Sequence, residues 1–114
     1  MAKLTTHVLD TSNGVPATGI EIRLNIVQDG GSTLIKRSKT NSDGRCDEAL
    51  LEGQDFLSGT YELVFDVEKY FNNMGVDCHF LKDVVIRFHV GNNNENYHVP
   101  LLVSPFSYST YRGS

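Results

Sequence analysis

The stretch Ile20–Val27, IEIRLNIV, decides how this chain is read. In an extended backbone Ile20, Ile22, Leu24 and Ile26 fall on one side, and Glu21, Arg23 and Asn25 on the other. That period of two marks a strand with one buried face. Residues 60–67, TYELVFDV, repeat it with Tyr61, Leu63, Phe65 and Val67 against Glu62, Val64 and Asp66. Residues 84–90, VVIRFHV, set Val84, Ile86, Phe88 and Val90 against Val85, Arg87 and His89.

Turn chemistry punctuates these runs. SNGVP (12–16), QDGGS (28–32), NSDGR (41–45) and VGNNNEN (90–96) carry the Gly, Asn, Asp and Pro residues that reverse a chain. One segment departs from the alternation: VEKYFNNMG (67–75) spaces Val67, Tyr70, Phe71 and Met74 for a short helix of about two turns, with Gly75 placed as its C-terminal cap. Seven or eight strands with one short helix predict an all-β, two-sheet β-sandwich. No linker or repeat divides the sequence, so a single domain over 1–114 is expected.

Composition is that of an ordinary globular chain: 39% hydrophobic and 21% charged, with a net charge of −4. The acidic balance argues against a nucleic-acid partner, which needs a basic stripe. No apolar run approaches the roughly 18 residues of a membrane span, and MAKLTTHVLD lacks the apolar region of a secretory signal, so a cytoplasmic protein is expected. Cys46 and Cys78 then read as free thiols in a reducing compartment. Cys46 beside Arg45 could be a low-pKa nucleophile, or simply a small residue filling a strand.

The alternation also assigns faces to the histidines. In LTTHVLDT (4–11) Leu4, Thr6 and Val8 share one side, and Thr5, His7 and Leu9 the other. In NYHVPLLVS (96–104) Tyr97, Val99, Leu101 and Val103 form the apolar side, opposite His98, Pro100, Leu102 and Ser104. His7 and His98 are thus expected outside the sandwich core, with apolar companions that suggest a second interface between identical subunits. Pro100 is expected at an edge or bulge, because it cannot donate to a ladder. An imidazole in a partly dry interface can accept a proton near neutral pH. The plainer readings are a hydrogen-bonded structural histidine, a solvated Arg45 and a water-facing His89. Asp77, Cys78 and His79 make a poor metal cluster, and no nucleophile elbow or phosphate-binding loop occurs, so no metal or cofactor is expected.

Three long stretches, HVLDTSNGVPATGIEI (7–22), TNSDGR (40–45) and YHVPLLVSPFSYSTYRGS (97–114), resemble the transthyretin family. The ending Tyr111-Arg112-Gly113-Ser114 is similar to the family's enzyme branch, the 5-hydroxyisourate hydrolases, and not to its hormone carriers. The chain departs from the pattern at Val103, where the family has leucine, and in GVDCHFLKD (75–83), which replaces a phenylalanine–proline stretch.

The resemblance implies an eight-stranded sandwich that pairs edge strands into a dimer and stacks two dimers into a homotetramer. It implies active sites in channels at the dimer–dimer interface, with a small-molecule substrate. His7, Arg45, His98 and Ser114 correspond to the catalytic set; Tyr111, Arg112 and Gly113, with His7 and Arg45, correspond to substrate-binding positions. The implied reaction is hydrolysis of 5-hydroxyisourate to 2-oxo-4-hydroxy-4-carboxy-5-ureidoimidazoline, on the way from urate to allantoin. Which histidine acts as base stays open. The alternative is a transthyretin-like protein that binds a small ligand without turning it over.

Overall fold

The computed structural model describes residues 2–114. Nine strands and one helix follow one another: β1 (Lys3–Asp10), β2 (Val15–Pro16), β3 (Glu21–Gln28), β4 (Gly31–Lys39), β5 (Leu51–Glu52), β6 (Gly59–Asp66), α1 (Val67–Asn73), β7 (Asp83–Val90), β8 (Tyr97–Val103) and β9 (Tyr108–Thr110). They form two sheets. One runs β2-β1-β8-β9, with β5 also pairing to β1; the other runs β4-β3-β6-β7. Every pairing is antiparallel except that of β1 with β8.

The alternating residues do what their spacing predicts. Ile22, Leu24, Leu63, Phe65 and Val84 from one sheet and Leu4, Val8, Leu101 and Val103 from the other are at most 1% exposed and form one core. Each such side chain contributes roughly 1.5–3 kcal/mol over leaving it in water. Val103, the departure from the family's leucine, sits wholly inside this layer. β6 differs from the simple pattern: Glu62 and Val64, on its outer side, are also buried. β6 is an inner strand, and Arg87 from the neighbouring β7 lies across Glu62, its Nε and an Nη donating to Glu62 Oε2 at 3.1 and 2.8 Å.

The helix forms where the spacing changes. Asp66 caps it by accepting from the Lys69 amide, Val67, Tyr70 and Phe71 face inward, and Gly75 leaves it at φ +77°. Tyr70 Oη donates to Asp10 Oδ2 at 2.8 Å, tying α1 to the end of β1. Asp10 is fully buried, and its carboxylate also accepts from the amides and side chains of Ser12 and Asn13. Burial alone would raise its pKa, but the hydrogen bonds from Asn13, Ser12 and Tyr70 outweigh it and hold the carboxyl low.

Two expectations need correcting. Pro100 is on an inner strand, not an edge. The ladder between β8 and β9 pairs Leu101–Val103 with Tyr108–Thr110, then lapses, and resumes as one bridge from His98 to Gly113. Ser104 bonds across to Ser107 and His98 to Gly113, on either side of β9, so Pro100, of the same parity, turns its missing N–H toward Tyr111. The break in the ladder is therefore where proline requires it. Second, the strand expected after NSDGR shrinks to Leu51–Glu52, and Arg45 makes only an isolated bridge to His7.

Cys46 and Cys78 are both unpaired. Burial raises the Cys46 thiol pKa, which removes it as a thiolate nucleophile. Cys78, in the departing segment 75–83, is buried and directs Sγ to the carbonyls of Leu81 and Pro105. It does not join Asp77 and His79, which pair at 3.3 Å on the surface. His89 is exposed, as its alternation with Arg87 predicts.

Candidate active site

On the outer face of the β1–β8 sheet a cleft of about 470 Å³ is lined by Lys3, Thr5, His7, Arg45, Asn96, His98, Tyr111, Gly113 and Ser114. Three routes through the chain converge there. β1 supplies Lys3, Thr5 and His7 from its outward parity. β8 supplies His98, because the parallel pairing places His98 beside Thr5. His7 then stands two residues, about 6–7 Å, further along β1. The segment after β9 brings Tyr111, Gly113 and Ser114 back over His98, with the Gly113 amide donating to the His98 carbonyl at 2.7 Å.

Arg45 is delivered by the turn before it. Asn41 Oδ1 accepts from the amides of Asp43 and Arg45, and the Gly44 amide donates to the Asn41 carbonyl. Gly44 has φ +76°, a conformation that glycine adopts without strain. Its carbonyl accepts from the Val8 amide at 2.8 Å, which locks the turn to β1. A Cβ at Gly44 would stand 2.4 Å from the Val8 carbonyl oxygen and 3.3 Å from Cδ2 of His7, so the close approach admits no larger residue.

The two histidines differ in setting. His98 Nδ1 is 2.8 Å from the Thr5 hydroxyl. Its pKa is lowered by burial first, then by the nearby positive charge of Arg45 and by His7. All three effects disfavour the charged ring, which suits the imidazole to accepting a proton. Among the described residues no Asp or Glu side chain lines the cleft, while Lys3 and Arg45 do. A chain of net charge −4 thus places two cationic side chains at this cleft, which favours an anionic ligand.

The remaining terminal position, Arg112, turns away from this wall. Its Nη2 donates to Glu95 Oε1 and to the Asn96 carbonyl, both at 3.1 Å, and its guanidinium lies 4.0 Å from the centre of the Tyr97 ring. Arg112 anchors the last segment to the base of β8, holding Gly113 and Ser114 over the cleft. Lys3, Thr5 and Asn96 were not singled out from the sequence. Parity alone groups Lys3 and Thr5 with His7; Asn96 carries no such signal.

Among the described residues no cluster of three or more His, Cys, Asp or Glu side chains converges on a metal-sized point. Nor is any helix there long and apolar enough to cross a membrane.

The comparisons place this architecture. Residues 4–113 match the family model described as HIUase/Transthyretin family. A 5-hydroxyisourate hydrolase of Pseudomonas aeruginosa is 50% identical over 117 residues, covering 100% of this chain and 93% of that protein. The solved 5-hydroxyisourate hydrolase of Klebsiella pneumoniae superimposes with a TM-score of 0.83 at 32% identity, covering 100% of both chains. Sea bream transthyretin in complex with thyroxine gives 0.89 at 30% identity, covering 98% of this chain and 95% of that one. The hydrolase and the thyroxine-bound transthyretin superimpose comparably, so backbone shape alone does not separate them. By sequence and by structure, this chain belongs to the HIUase/transthyretin family.

Proposed function

We propose that this chain is a hydrolase that opens the lactam ring of 5-hydroxyisourate to give 2-oxo-4-hydroxy-4-carboxy-5-ureidoimidazoline. The observation that carries the reading is the meeting of His7, Arg45 and His98 in one cleft, where burial and the Arg45 charge hold the His98 pKa down. The 50% identity to a hydroxyisourate hydrolase along the whole chain supports it.

In this reading water attacks the ring carbonyl and His98 takes its proton. Arg45 offers planar, forked donors to the anionic ring and to the oxyanion as it develops. The C–N bond then breaks, and the departing nitrogen takes up a proton, with His7 placed to supply it. Ser114 and Tyr111 bound the substrate on the side of the terminal segment. Arg112 acts on the site through that segment, which it anchors. Water attack aided by these side chains needs neither a metal nor a covalent nucleophile.

The same proposal makes the working molecule a homotetramer, with each cleft closed at the interface between dimers. Leu9 and Leu102 support it: they pair across β1 and β8 on the face that carries His7 and His98, where an isolated chain would hold polar residues. The test is to generate 5-hydroxyisourate with urate oxidase and follow its spectral decay with and without the protein. Acceleration is expected; a decay curve unaltered by added protein would contradict the reading. A passive carrier would bind the compound and leave its decay unhastened.

A further inference from the structure

The residue that faces His98 across the parallel β1–β8 pair is Thr5, and its hydroxyl is the hydrogen-bond partner of His98 Nδ1 among the described residues, at 2.8 Å. The contact is built by backbone register and not by a flexible tip, and threonine's branched Cβ limits its own rotation. On the other side of the ring, Gly113 packs against Cδ2. Turning the ring over would bring Cδ2 to the hydroxyl and Nδ1 to Gly113, forfeiting the hydrogen bond. The orientation is thus held from both sides. Nε2 has no partner among the described residues and belongs to a ring that lines the cleft.

A hydroxyl can donate or accept, so the bond has two polarities. If Thr5 donates to Nδ1, the neutral ring carries its proton on Nε2 and cannot act there as a base. If Nδ1–H donates to Thr5, Nε2 presents a lone pair. The charges sharing the cleft decide between them. Lys3 and Arg45 are the cationic side chains there, and both oppose the positive end of an N–H dipole pointing inward and favour a lone pair in its place. We propose that Thr5 is a positioning residue: its hydroxyl accepts the Nδ1 proton of His98, which fixes the tautomer with Nε2 free toward the substrate. This rests on the hydrolase reading, in which His98 takes the proton of water.

The test compares Thr5→Val, which keeps the shape and removes the hydroxyl, with Thr5→Ser, which keeps it. Nitrogen-15 NMR of histidine-labelled protein, above the pH at which His98 protonates, reads the tautomer directly and needs no substrate. The parent and Thr5→Ser are expected to show Nδ1 protonated and Nε2 bare, with Thr5→Val moving toward the opposite tautomer. In turnover of 5-hydroxyisourate, Thr5→Val should lower kcat about 3- to 10-fold with KM unchanged, the size of one neutral hydrogen bond, and Thr5→Ser should restore it. Three results each overturn the proposal: an Nε2–H tautomer in the parent, equal losses in both variants, or a tautomer change without a change in kcat. If the parent fails to hydrolyse 5-hydroxyisourate at all, the hydrolase reading fails, and the spectra still decide the part played by Thr5.

Discussion

Gly113 stands close against the Cδ2 side of the His98 imidazole: a Cβ built on Gly113 would stand 2.7 Å from Cδ2 and 3.3 Å from Cγ of that ring. The backbone at Gly113 does not require glycine for its own conformation, so the contact with His98 is what excludes a side chain. Gly113→Ala must push the imidazole, or lift the terminal segment that Arg112 anchors. We expect kcat to fall at least about 10-fold, because sub-ångström displacement of a base is costly, while thermal unfolding shifts by only a few degrees. Parent-like kinetics in Gly113→Ala would show that the ring has room to spare.

The lowered pKa of His98 sets the pH response. An imidazole with its ordinary value of about 6.5 would lose base function just below neutrality. His98 resists protonation, so the acid limb of kcat/KM should fall below pH 6.5. The sign for stability follows. Below pH 6.5 the unfolded chain binds a proton that the folded chain refuses, so this group makes stability decrease as pH drops from 6.5 to the folded pKa. A pH profile of kcat/KM whose acid limb lies at or above 6.5 would contradict the assignment.

Arg45 acts on both charge and geometry. Arg45→Ala should lower kcat by about 10²- to 10³-fold, the range for losing one oxyanion donor. Arg45→Lys should recover part of this, since it keeps the charge and loses the fork. The acid limb of Arg45→Ala should also move part of the way back toward pH 6.5. It should not return fully, because burial is the larger cause of the lowered pKa. Steady-state kinetics of the two variants across pH check each point.

Asp10 carries stability and not chemistry. Its buried carboxylate gathers Ser12, Asn13 and the Tyr70 hydroxyl, and Asp10→Ala leaves that hydroxyl without its acceptor. A loss of about 3 kcal/mol is expected by urea unfolding. With its folded pKa lowered, Asp10 contributes stability above the ordinary carboxylate range that is lost as pH falls through the folded value. An unfolding midpoint equal to the parent's would show the network to be redundant.

Much of this molecule was legible in its alternation. Ile20, Ile22 and Leu24 are buried as the period of two requires, and the same parity set His7 and His98 outside the core. What the period cannot carry is partnership. Nothing local tells Thr5 that His98, 93 residues away, is its neighbour, because a parallel pair needs no turn to announce it. Pro100 misled for a related reason: its missing donor matters only on the side that the neighbouring strand occupies, and the ladder simply skips it. Glu62 read as solvent-facing, since its cover comes from Arg87 on an adjacent strand. The terminal motif was visible as a motif, yet its division of labour was not: Gly113 and Ser114 face the cleft while Arg112 turns outward onto Tyr97.

The central claim is that His98 takes a proton from water in this cleft, and one measurement meets it most directly. His98→Ala, shown by sedimentation to keep the assembly state of the parent, is added to 5-hydroxyisourate freshly made by urate oxidase. The account predicts a kcat about 10²- to 10⁴-fold lower than that of the parent. Decay as fast as with the parent protein would contradict it.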